Sequence, residues 1–158
     1  LRSGKAITLP FAMTGTCVES DGTGSNSPVE ALTGLRVLVL ENEMFIMVMI
    51  EDLLGDLGCR IVGPAATVAD ALALAEAGGI DAALLDLNLG YGETGYPVAD
   101  LLAQRDVPFA FVTGYSADVL RPPHSGRPIL EKPFWGESLG NVLRALLAPG
   151  RAVQPGTA

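Results

Sequence analysis

The sequence predicts an α/β fold, a doubly wound sheet of five parallel strands, and three observations carry that prediction. Short apolar runs recur at Leu35–Leu40, Cys59–Gly63, Ile80–Asp86, Pro108–Val112 and Pro128–Leu130. Segments of helical spacing alternate with them, closed by Gly or Pro, which is the signature of successive βα units. Because crossovers between parallel strands are right-handed, helices on both faces of one sheet are the natural packing of such a chain.

Each element has a local reason. Leu35-Arg-Val-Leu-Val-Leu40 is nearly continuous in apolar residues, as in strands covered on both faces. In Met44 to Leu57, the residues Phe45, Val48, Met49, Leu53 and Leu57 lie near helical spacing, and Met44, Met47 and Met49 read as helix packing; Gly58 stops the helix. After the short strand Cys59–Gly63, Thr67 suits the N-cap of the alanine-rich helix Val68–Ala77, which Gly78-Gly79 ends. The third strand runs to Asp86, the loop Gly90–Gly95 follows, and Pro97 fits the first turn of a helix reaching Arg105. Ser116 to Leu120 supports only a short, eroded fourth helix, because Arg121-Pro-Pro-His-Ser-Gly126 breaks it and assigns His124 to a surface loop. A last helix spans about Glu137 to Leu147 and ends at Pro149-Gly150.

The chain is long enough for one domain, expected over residues 34–148, between an extension over 1–33 and a short tail over 149–158. Residues 12–34, rich in Gly, Ser and Thr, read as a flexible linker. Position 1 is Leu rather than Met, and Lys5–Phe11 alternates like a strand; it could close an upstream domain or be an extension without structure. The net charge of −8, with Lys and Arg scattered, argues against a nucleic-acid footprint. Cys17 and Cys59 lack metal-ligand or disulfide spacing, so reduced thiols and a cytoplasmic location are expected. No apolar run reaches the roughly 18 residues of a membrane helix, so no membrane insertion is expected.

Ligands of open α/β sheets bind beyond the carboxyl ends of the strands. At those ends stand Glu41-Asn42-Glu43, Asp86, Thr113 and Glu131-Lys132-Pro133, so acids, a hydroxyl and a lysine converge on one edge. Local patterning leaves the strand order open; order 2-1-3-4-5 would bring Glu41, Asn42 and Asp86 into one pocket.

These four motifs, in this order and spacing, resemble the receiver domain of bacterial two-component response regulators over about Gly34 to Ala148. Phe111-Val-Thr-Gly-Tyr115 with Glu131-Lys-Pro-Phe134 looks like the alphaproteobacterial single-domain receivers of stress signalling and like kinase-fused receivers. The resemblance implies a flavodoxin-like strand order and Asp86 as the phosphoacceptor. It further implies Mg²⁺ on Glu41, Asn42, Asp86 and the Asn88 carbonyl, Lys132 and Thr113 on the phosphoryl oxygens, and a cis peptide at Lys132-Pro133. The implied partners are a histidine kinase or histidine phosphotransfer protein, with a homodimer as a further option. No enzymatic activity beyond Mg²⁺-dependent self-phosphorylation and self-dephosphorylation is implied. Two positions depart from the family's usual pattern. Asn42 replaces a usual acid, which removes a charge from the metal site, and Ile129 occupies the usual aromatic switch position, leaving Tyr115 as the nearest substitute. A degenerate receiver that docks partners without phosphorylation is the alternative. A haloacid-dehalogenase-type phosphatase would want a second acid at Asn88, and a nucleotide binder would want a Gly-rich loop after strand one.

Overall fold

A computed structural model of the chain describes residues 30–114 and 120–148. Strands β1 (Arg36–Leu40), β2 (Arg60–Ala65), β3 (Ala82–Asp86), β4 (Phe109–Thr113) and β5 (Ile129–Glu131) form one parallel sheet in the order β2-β1-β3-β4-β5. Helices α1 (Met44–Asp56), α2 (Val68–Ala77), α3 (Tyr96–Gln104) and α4 (Gly136–Leu147) cover both faces. The expected eroded helix at 116–120 falls, except for Leu120, outside the described residues; Leu120 itself is buried coil.

Alternation along the buried strands sorts the core into two layers. Leu38, Leu40, Ala83, Leu85, Phe109 and Phe111 point to α2 and α3, meeting Ala71, Val98, Ala99 and Leu102. Val37, Val39, Leu84, Ala110 and Val112 point the other way, to Met47, Ile50 and Leu54 of α1 and to Leu139 and Leu143 of α4. The small residues Ala71 and Ala75 let α2 sit close on the sheet. Thr67 caps α2 by accepting the Asp70 amide, and the Arg105 guanidinium donates to the last-turn carbonyls of Ala75 and Glu76, holding α2 against α3.

A 3-10 turn at Glu30–Leu32 precedes β1 and buries Leu32 completely in the α1/α4 layer. Two expectations are corrected. Helix α1 has a different phase from the one its periodicity suggests: Met47, Ile50 and Leu54 face the sheet, whereas Phe45 is 90% exposed and Val48 49%. Met-Phe-Ile-Met-Val-Met-Ile is apolar all round its circumference, so two stripes fit the helical period, and only contact with the sheet selects one. His124 is not a surface residue but is 1% exposed, its ring set among Tyr96, Phe109 and Phe111. The segment is a loop, as its prolines require, but this one side chain turns inward.

The observed phase of α1 makes a direct prediction. Leu54→Ala should cost about 2–5 kcal/mol in urea unfolding, whereas Phe45→Ala on the same helix should stay within about 0.5 kcal/mol. A comparable loss at both positions would contradict the observed phase.

Candidate functional site

The strand order makes β1 and β3 neighbours, so the residues at their carboxyl ends meet. Asp86 closes β3 and is buried, as is Glu41, directly after β1. Lys132 follows β5 and reaches back across the end of β4. Its ammonium donates to Glu41 Oε2 at 2.7 Å and to Asp86 Oδ2 at 3.0 Å, and lies 3.6 Å from Glu43 Oε1. Backbone amides hold the other carboxylate oxygens: Glu43 N–H donates to Glu41 Oε1 and Asn88 N–H to Asp86 Oδ1, both at 2.9 Å. The Lys132-Pro133 peptide is cis.

One ammonium shared by several acids leaves the pocket with surplus negative charge. Burial pushes the Glu41 carboxyl above the usual glutamate range, against the pull of Lys132. Burial also works to lower the Lys132 ammonium, but its bonds to Glu41 and Asp86 outweigh that and hold it above the usual lysine range. Carboxylate oxygens of Glu41, Glu43 and Asp86 lie within 4.8 Å of one another, an oxygen-only donor set that could hold a hard divalent cation.

The remaining expected residues sort as follows. Thr113, the last residue of β4, is buried beside this edge, and its carbonyl accepts the Lys132 amide at 2.8 Å. Asn42 is exposed at the pocket rim, and its amide donates to the Leu89 carbonyl at 2.7 Å, tying the loop after Asp86 to the end of β1. The Asn88 side chain accepts the Gly90 amide and so shapes that loop. Ile129 stands next to Phe111 in the β4–β5 register and packs on the α2/α3 layer, away from the carboxylates. Tyr115 lies outside the described residues. Glu43 joins the acid cluster, although the ligand set drawn from the sequence omitted it; its place two residues after Glu41 was the available signal.

Gly95 explains how closely α3 approaches the site. A Cβ at this position would collide with the carbonyl oxygen of Asp86, so the helix start rests directly on the backbone of the buried aspartate. Only glycine permits that contact.

No protein-family model matches the chain, and neither does any curated protein. Solved structures do. SdrG from Sphingomonas melonis Fr1 is 47% identical, over 73% of this chain and 98% of its own, with a TM-score of 0.66. The receiver domain of the PhyR response regulator of Erythrobacter litoralis is 31% identical over 74% of this chain and 92% of its own, with a TM-score of 0.64. PhyR from Brucella abortus is 26% identical over 77% of this chain and 51% of its own, with a TM-score of 0.66. Since SdrG is 47% and the PhyR receiver 31% identical and each is covered over more than nine-tenths of its length, the chain belongs to the response regulator receiver domains.

Proposed function

We propose that this receiver accepts a phosphoryl group on Asp86 from a phosphohistidine of a partner kinase or phosphotransfer protein, and signals by altering its protein contacts. The observation that carries the reading is the buried Asp86 carboxylate, held by the Lys132 ammonium and the Asn88 amide at the open edge of the sheet. An Asp86 oxygen attacks phosphorus as the bond from phosphorus to the histidine nitrogen breaks. The leaving electron pair stays on the imidazole, which is left neutral or takes up a proton, and an acyl phosphate forms.

Glu41, Glu43 and Asp86 would hold Mg²⁺, with Asn42 offering its amide oxygen at the rim. The metal supplies neutralisation of phosphoryl charge when bound. Glu43 returns the negative charge that Asn42 lacks. Lys132 is placed to pass from the free carboxylate to a phosphoryl oxygen without leaving the pocket, and Thr113, which would donate its hydroxyl to another, ends the neighbouring strand. In this reading the chain has no catalytic turnover beyond gaining and losing its own phosphoryl group, and it works in the cytoplasm. SdrG has been described in a BeF3-activated conformation, which supports a phosphoryl switch in a relative. The exposed apolar residues Met44 and Phe45, next to Glu43 at the pocket mouth, offer a phosphodonor protein a surface for approach. Asn42 is the observation that favours the second reading, a receiver that docks without phosphorylation.

Intact mass measured after incubation with acetyl phosphate separates the two. The wild-type chain should gain one phosphoryl group in the presence of Mg²⁺ and none with chelator, and Asp86→Asn should gain none. An unchanged wild-type mass would support docking alone. A second measurement concerns Asn42→Asp, which adds charge to the site but opposes a carboxylate to the Leu89 carbonyl. Mg²⁺ binding should tighten by about tenfold, while stability falls by about 1 kcal/mol through the lost hydrogen bond. Unchanged metal affinity would remove Asn42 from the metal site.

A further inference from the structure

The connection from β4 to β5 is bounded at both ends by pocket residues, Thr113 closing β4 and Lys132 following β5, and the Lys132 amide donates to the Thr113 carbonyl at 2.8 Å. A shift of β5 that carries the Lys132 ammonium onto a phosphoryl group would also move residues 120–128, which lead directly into that strand. This segment is fastened to α3 at two points. The Arg121 amide donates to the Tyr96 hydroxyl at 3.0 Å, and the Arg121 guanidinium lies 5.6 Å from the Tyr96 ring centre. His124 Nε2 donates to Asp100 Oδ1 at 2.7 Å, while its ring stacks on Tyr96 at 5.9 Å and meets the edges of Phe109 and Phe111 at 5.6 and 5.9 Å.

Tyr96 and Asp100 stand one turn apart on α3 and share a face. The other end of this arrangement is equally fixed, since Gly95, immediately before Tyr96, rests on the Asp86 carbonyl with no room for a Cβ. The start of helix α3 is thus packed directly on the Asp86 backbone, next to the contacts to residues 120–128. His124 Nδ1 is buried without a hydrogen-bond partner among the described residues, so the imidazole is a polar group buried at a cost that only its bond to Asp100 and its ring contacts offset.

We propose that His124, with Tyr96 and Asp100, forms a clasp that holds residues 120–128, which lead into β5, in the arrangement where Lys132 is bonded to Glu41 and Asp86, and so restrains transfer of the Lys132 ammonium to a phosphoryl group. His124 is a positioning residue, acting on Lys132 through residues 125–131 that join the two. The proposal rests on the reading of Asp86 as phosphoacceptor. A contact made in one of two arrangements biases their equilibrium by its own free energy, and by reciprocity it weakens binding of whatever the other arrangement binds.

The variants Asp100→Ala and Tyr96→Phe test it with the aromatic packing kept, because the Asp100 side chain is 55% exposed and phenylalanine retains the ring, while Asp100→Ala removes the bond that offsets burial of His124. Beryllofluoride with Mg²⁺ is titrated into wild type, each single variant and the double variant, and binding is read from the amide resonances of Thr113 and Lys132. The double variant should bind beryllofluoride about fivefold more tightly or better, with smaller gains in the singles. Unchanged or weaker binding, accompanied by a drop in thermal stability, would reduce the clasp to a packing feature and overturn the proposal. Hydrogen exchange of the Lys132 amide, measured without any phosphoryl analogue, probes the restraint independently: the double variant should exchange at least about fivefold faster, and an unchanged rate overturns the proposal. If wild type itself fails to respond to beryllofluoride, the phosphoacceptor reading falls, and the exchange rates alone decide whether the clasp restrains the connection.

Discussion

The Lys132 ammonium, shared between Glu41 and Asp86, is the interaction on which the site depends. It joins residues from the ends of three strands that are far apart in sequence, and it is the counter-charge for two carboxylates withdrawn from water. Placing charges in such a position is expensive, and the desolvation can exceed what the attraction returns. The arrangement is therefore poor as a source of stability, which agrees with the exchange of charged partners proposed for it. A phosphoryl group or a cation entering the pocket meets charges that are already desolvated and oriented, so little reorganisation remains to be done.

The rest of the fold supplies rigidity to that edge. The strands deliver the acids because both faces of the sheet are covered, which fixes β1, β3 and β4 in register and leaves their carboxyl ends as the place where backbone can turn outward to a ligand. Asp86 is further held by its own loop, through the Asn88 amide, and by the start of α3 at Gly95. Residues 120–128, which lead into β5, are held by an aromatic cage around His124 and two hydrogen bonds to α3. Both sides of the pocket are thus built on strand ends, and residues 120–128 are in addition tied to α3 by side-chain contacts.

Asn42 shows how one residue answers to two demands. Its amide nitrogen grips the Leu89 carbonyl, a bond that a carboxylate in its place could not donate, while the charge a carboxylate would have brought to the pocket is available from Glu43. The composition of the acidic motif is therefore better understood as a set than residue by residue: Glu41 is buried on the lysine, Asn42 tethers the loop, and Glu43 stands at the exposed rim.

The sequence by itself determined the alternation of strands and helices, the parallel sheet and the placement of Asp86, Thr113 and Lys132 at strand ends, because these follow from local periodicity, turn residues and the handedness of crossovers. It also carried the family, through four motifs whose spacing is a consequence of that alternation. Tertiary structure alone decided which stripe of α1 is buried, since a helix apolar on every side has no phase of its own until it meets a sheet. It alone turned His124 inward, since a loop assigned by Pro and Gly says nothing about where one ring finds partners, and those partners, Tyr96, Asp100, Phe109 and Phe111, come from other elements. The physical division is between what neighbouring residues impose on one another along the chain and what distant ones impose through packing, and the candidate switch lies in the second category.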